Sequence, residues 1–217
     1  MKTTRTRSFT FKKNLQIGGI LFVAALGLLL TGCSRANSQT TTTNTTAYTI
    51  TPKREATSNA PKVGQAAPDF RLPYATAEQI YLKPEEHLAL SGQRGKNIIL
   101  AFYPADWSGG CTTEVCTFRD TFMEFGKFNA QVLGISGDYV FSHQEWAKFH
   151  KLQFPLLSDH DHAVAKMYDS YMADYGFNKR TVYLVDKEGV VRYVNLAFKA
   201  GDKKDYDALR MELEKLK

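Results

Sequence analysis

From Val63 onward the chain alternates short apolar runs with stretches of helical periodicity. Ala67-Pro68-Asp69-Phe70-Arg71-Leu72 alternates apolar and polar residues, which predicts a short strand ending before Pro73, and Ile80 with Leu82 suggests a second. Residues 83–96, punctuated by Pro84, Gly92 and Gly95, read as loop or irregular structure. Residues 97–103 form a continuous apolar run, the pattern of a strand covered on both faces. A helix is expected over 111–128, where Val115, Phe118, Phe122 and Phe125 repeat at three and four residues, and Val132-Leu133-Gly134-Ile135 is the next buried strand. Ser142 and Glu145 have the spacing of a capping box ahead of Trp146 and Phe149, so a short helix is expected to start there. Another should follow Ser158-Asp159, carrying Val164, Met167 and Tyr168. Residues 181–185 and 190–196 flank Asp186-Lys187-Glu188-Gly189 as a hairpin. A last helix, capped by Asp202, turns Tyr206, Leu209, Leu213 and Leu216 to the core. The order describes an α/β domain, a central mixed sheet flanked by helices.

The first 62 residues read differently. Residues 17–30 are apolar, but 14 residues of helix span only about 21 Å, short of a hydrocarbon core of about 30 Å. A basic start, a short apolar middle and Leu30-Thr31-Gly32-Cys33 fit a secretory signal, 1–32, and the last four residues resemble the bacterial lipobox. That resemblance implies lipidation of Cys33 and an extracytoplasmic protein anchored to a bacterial membrane. Residues 33–62, poor in apolar residues and rich in threonine, read as a disordered tether with a reach of about 30 Å. Residues 63–217 are left as the folded domain.

Charge narrows the function classes. The formal net charge is +6, yet five of the 28 basic residues lie within 1–32 with no acidic residue beside them. The remaining 23 face 22 acidic residues, so the body is near neutral and offers no nucleic-acid surface. With Cys33 assigned to the anchor, Cys111 and Cys116 remain as free chemistry. Cys111 opens the helix expected after Gly109-Gly110, where unpaired N–H groups and the helix dipole favour a thiolate. Two cysteines and scattered histidines are too few ligands for zinc, and four intervening residues depart from Cys-x-x-Cys disulfide exchange. His160 and His162 read as surface or capping residues, and His143 and His150 have no partner visible in the sequence.

The run Phe102-Tyr103-Pro104 through Gly110-Cys111-Thr112-Thr113-Glu114-Val115-Cys116 resembles the peroxiredoxins, in the bacterioferritin-comigratory or Q-type subgroup. Pro104, Ser108 and Cys111 match the Pro-x-x-x-Thr/Ser-x-x-Cys motif; further matches are Val63-Gly64, Ala67-Pro68-Asp69-Phe70, Leu157-Ser158-Asp159 and Arg180-Thr181. Trp107 and Gly109 depart from it, since proline is common at the second position. The resemblance implies a thioredoxin-like fold and a thiol peroxidase acting on hydrogen peroxide or organic hydroperoxides without a cofactor or metal. It implies Cys111 as nucleophile and Arg180 as the cation that favours thiolate and polarises the peroxide. Ser108 offers a hydroxyl to the substrate, and Pro104 shields the thiolate without an N–H. Glu114 either orients Arg180 through a bidentate pair or is simply an acid favoured near a helix N-terminus.

Cys116 is the candidate resolving thiol, forming an intramolecular disulfide with the Cys111 sulfenic acid. Five residues along an intact helix separate Cα atoms by about 8.6 Å, beyond the roughly 4.4–6.8 Å of disulfides. The pairing therefore requires the first turns of the helix to unwind. A one-cysteine route with an external thiol, or a redox-sensing or binding lipoprotein without turnover, are the alternatives. The implied partners are a peroxide, a thioredoxin-like reductant and a membrane reached through the lipid, with the chain a monomer or weak homodimer.

Overall fold

The computed structural model describes residues 60–216. The basic start, the apolar residues 17–30, Cys33 and the threonine-rich stretch lie outside the described residues. In chain order the elements are β1 (Arg71–Leu72), β2 (Tyr74–Ala75), β3 (Ile80–Tyr81), β4 (Leu88–Ala89), β5 (Asn97–Phe102), α1 (Gly109–Gly126), β6 (Ala130–Ser136) and α2 (Val140–His150). There follow β7 (Leu156–Ser158), α3 (Ala163–Met167), β8 (Tyr171–Met172), β9 (Phe177–Asn178), β10 (Thr181–Val185), β11 (Val191–Asn195) and α4 (Lys203–Glu214).

The apolar run at 97–103 becomes an interior strand of a seven-stranded mixed sheet, ordered β11-β10-β5-β6-β7-β2-β3. β5, β6 and β7 are parallel, while β10 joins β5 antiparallel. Every residue of β5 is buried because both faces are covered. Ile99, Ala101 and Tyr103 point to a core built with Val115 and Phe118 of α1, Trp146 of α2 and Leu209 and Leu213 of α4. Ile98, Leu100 and Phe102 point the other way, to Val164 of α3 and to Phe70, Leu72 and Leu88. Period-two alternation thus splits one apolar run between two cores, each fully buried Ile, Leu or Phe contributing about 1.5–3 kcal/mol.

The register of β5 with β10 positions the site. Thr181 pairs with Phe102, so the chain leaving β5 and the chain entering β10 meet at one end of the sheet.

Four expectations need correction. α1 begins at Gly109, which puts Cys111 inside its first turn and not at its start. α2 begins at Val140, after Tyr139, so Ser142 lies within the helix and makes no capping box; Glu145 pairs instead with Lys148. Phe149 faces solvent, 71% exposed, whereas Trp146 is fully buried. Residues 83–96 are not wholly irregular, because Leu88–Ala89 pairs with β1. The α3 start is anchored by Asp159, whose carboxylate accepts the Val164 and Ala165 N–H groups. The Asp202 cap on α4 forms as the sequence predicts, accepting from the Lys204 N–H. Residues 171–178 fold into the β8–β9 hairpin.

Candidate active site

Past β5 the chain turns through Tyr103, Pro104, Ala105, Asp106, Trp107 and Ser108 before α1 begins. A buried polar cluster fixes this loop. The Asp106 carboxylate accepts from the Tyr103 hydroxyl (2.8 Å) and the Ser142 hydroxyl (2.7 Å), and lies 2.9 Å from His143 Nδ1. The Asp106 N–H donates to Asp138, which also accepts from the Ser136 hydroxyl. His143 Nε2 lies 3.2 Å from the Leu157 carbonyl, so the buried ring joins the loop to α2 and β7. Burial, reinforced by Asp106, pushes the Tyr103 phenol well up, which keeps it a donor. Of the loop's own backbone groups, the Asp106 N–H donates to Asp138 and the Ala105 carbonyl accepts from the Ser108 hydroxyl, as a partly buried loop requires.

Cys111 is fully buried on the inner face of α1. Arg180, the residue before β10, directs Nη1 at its Sγ from 3.5 Å. The same Nη1 hydrogen-bonds Glu114 Oε2. Glu114 is buried and its Oε1 has no hydrogen-bond partner, so the pair is not bidentate. Burial pushes the Glu114 carboxyl from 4.5 up to about 7 against the pull of Arg180. Burial alone would weaken the Arg180 charge, but Glu114 and then Cys111 outweigh it and raise its pKa. Gly110 admits the guanidinium: a Cβ there would lie 3.0 Å from Nη2.

The remaining residues singled out in the sequence are placed less closely. Ser108 precedes α1 without a side-chain cap, and its hydroxyl donates to the Ala105 carbonyl at 3.2 Å. Its donor is therefore used within the loop, leaving the oxygen's acceptor capacity. Pro104 is half-buried directly after the fully buried Tyr103. Trp107 takes a left-handed backbone (φ 62°) and turns its indole toward α2, with Nε1 donating to Ser142 at 3.2 Å. Cys116 is half-buried and free, and its Sγ lies 3.6 Å from His150 Nδ1. The structure thus brings together Cys111, Arg180 and Glu114, and gives Cys116 a separate neighbour.

Residues 63–194, more than half the chain, match the AhpC/TSA family model. The chain belongs to the AhpC/TSA family. Among AhpC/TSA relatives it is 37% identical over 134 residues to peroxiredoxin Bcp of Bacillus subtilis, covering 59% of this chain and 80% of that one. It is 39% identical over 132 residues to the chloroplastic peroxiredoxin Q of Oryza sativa subsp. japonica, covering 60% of this chain but only 57% of the rice protein. The solved peroxidoxin BcpB of Mycobacterium tuberculosis superposes with a TM-score of 0.62 at 28% identity, over 72% of this chain and 99% of that one. The AhpC structure of Enterococcus faecalis, at 23% identity and a TM-score of 0.63 over 71% and 92%, shares the fold. The AhpC/TSA fold is thioredoxin-like, with its mixed sheet flanked by helices.

Sequence reasoning missed Tyr103, Asp106, Asp138 and Ser142, and found no partner for His143 or His150. Most of the contacts that assemble them join residues 32 to 40 positions apart across the loop, α1 and α2. Nothing local in the sequence signals them.

Proposed function

We propose that this chain is a thiol-dependent peroxidase in which Cys111 attacks the peroxide and Cys116 resolves the product. The carrying observation is a buried thiol with a guanidinium 3.5 Å from its sulfur, anchored by a buried carboxylate. The guanidinium would hold negative charge on the sulfur and polarise the peroxide. Cys111 Sγ attacks the terminal peroxide oxygen, the O–O bond breaks, and the departing hydroxide or alkoxide takes a proton. The sulfenic acid then condenses with Cys116, forming the S–S bond and releasing water. A thioredoxin-like dithiol returns both cysteines to thiols.

The weak N-terminus of α1 supports resolution by unwinding. Ser108 makes no side-chain cap, Gly109 and Gly110 open the helix, and its first turn has no acidic residue. Thr113, Thr117 and Thr121 each donate their hydroxyl to the carbonyl four residues back, an arrangement that slightly destabilises helices. One equivalent of peroxide, followed by mass mapping of the cysteines with and without Cys116→Ser, tests the scheme. An intramolecular disulfide in the parent and a trapped sulfenic acid in the variant are expected. A stable sulfenic acid in the parent would point to one-cysteine chemistry, and absence of fast reaction to a binding protein.

The reading extends to location. Leu30-Thr31-Gly32-Cys33 after a basic and then apolar segment supports a Cys33-lipidated protein, extracytoplasmic and held at a bacterial membrane. Fatty-acid labelling of the protein, lost in Cys33→Ser, is the expected result. Light scattering of the unlipidated domain tests the monomer or weak homodimer.

A further inference from the structure

We infer that His150 is the base that deprotonates Cys116 for the resolving step, an inference that rests on Cys116 being the resolving thiol. A general base must first lie within reach of its proton, and His150 Nδ1 faces Cys116 Sγ at 3.6 Å. With the ring proton on Nε2, Nδ1 accepts the Cys116 S–H.

The ring is held in this aim from both sides. His150 is the last residue of α2, packed edge-on against Trp146 (centroids 5.8 Å apart) and Phe149 (4.9 Å). Arg119, three residues beyond Cys116 on α1, donates from Nη1 to the His150 carbonyl at 2.8 Å. One turn of α1 thus grips the backbone of His150 and presents the sulfur to its ring.

The charges nearby suit a base. Arg119 faces His150 from α1, with its Nε and Nη2 engaged by Asp120. On α2 itself Lys148 is paired with Glu145, and Lys151 follows the helix. Burial, then the Arg119 charge, lowers the His150 pKa below 6.5, so the imidazole is neutral near pH 7 and free to accept. Once protonated, it sits at a helix C-terminus, where the macrodipole favours a cation.

The step balances without another reactant. Nδ1 takes the S–H proton, and the Cys116 thiolate moves with the unwinding first turns of α1. It attacks Sγ of the Cys111 sulfenic acid; the S–S bond forms as the S–O bond breaks, and hydroxide leaves to become water. The imidazolium returns its proton to solvent. The oxidising equivalents are those already delivered by the peroxide.

The test compares the parent protein with His150→Asn and His150→Ala in acid-quenched time courses after one equivalent of hydrogen peroxide. Sulfenic acid and disulfide are quantified by mass spectrometry from pH 5 to 9, and melting curves check that the variants fold. The expected result near pH 7 is a disulfide rate at least tenfold lower relative to the sulfenic acid rate of the same variant. The variant profile should also shift at least one unit to higher pH, and added imidazole should restore part of the rate in His150→Ala. An unchanged rate and profile would overturn the inference. So would a loss equal at every pH without imidazole rescue, which marks a packing role. A parent protein that forms no Cys111–Cys116 disulfide removes the premise as well, and that result is distinct because it appears before any variant is compared.

Discussion

At the residue scale, Arg180 faces Cys111 and Glu114 holds Arg180. Arg180 reaches both the sulfur and Glu114 with Nη1, at the far end of its guanidinium, and the lysine side chain is shorter by about one bond length. Arg180→Lys should slow Cys111 oxidation about 10²-fold, the scale of losing one well-placed donor, read as the rate of sulfenic acid formation in stopped flow. Glu114 predicts a pH dependence of stability. Its folded carboxyl titrates at about 7, above the unfolded 4.5. Between those values the native state holds a proton that the unfolded state has released, so stability falls as pH rises through the window and levels off above it. Urea midpoints measured at pH 5 and 8 should show that component in the parent and lose it in Glu114→Gln. Cys111, Arg180 and Glu114 were legible in the sequence because a motif and a strand start mark them. Asp106, His143 and His150 were not, because their chemistry depends on where α2 docks, and its apolar pattern fixes only which face is buried.

At the scale of elements, the proposed mechanism requires α1 to be rigid enough to aim Cys111 and weak enough to release Cys116. Amide exchange over 112–118 should accelerate in the oxidised protein relative to the reduced one; equal protection in both states would contradict unwinding. Gly109 offers a handle on the same property. Ser108 before it is extended (φ −77°, ψ 144°), the conformation favoured ahead of proline, and Gly109 occupies the first helical position. Gly109→Pro should stabilise the protein by about 0.4–1 kcal/mol in urea unfolding and slow disulfide formation. The long elements β5, α1, β6, β10 and α4 were readable from periodicity within a residue or two. The paired dipeptides β1, β4, β8 and β9 were harder to read, since two residues carry no period and their pairing is set by distant partners.

At the scale of the whole molecule, the two cores fix a single arrangement of the sheet. Phe118 lies fully buried between Phe125, Phe198 and Tyr206, joining α1 to α4. Phe118→Ala should cost about 3–5 kcal/mol, seen as a lower urea midpoint. The Thr181–Phe102 register carries a further consequence. Arg180 and His150 stand 69 and 34 residues from the cysteines they face, and they arrive only once β10 has paired with β5 and α2 has docked. In a newly made chain Cys111 and Cys116 therefore lack these neighbours, and on the proposed mechanism the appetite for peroxide switches on with the closing of the sheet. Reactivity is then a clock for folding: in rising urea, peroxide consumption should vanish at the same midpoint as the fold.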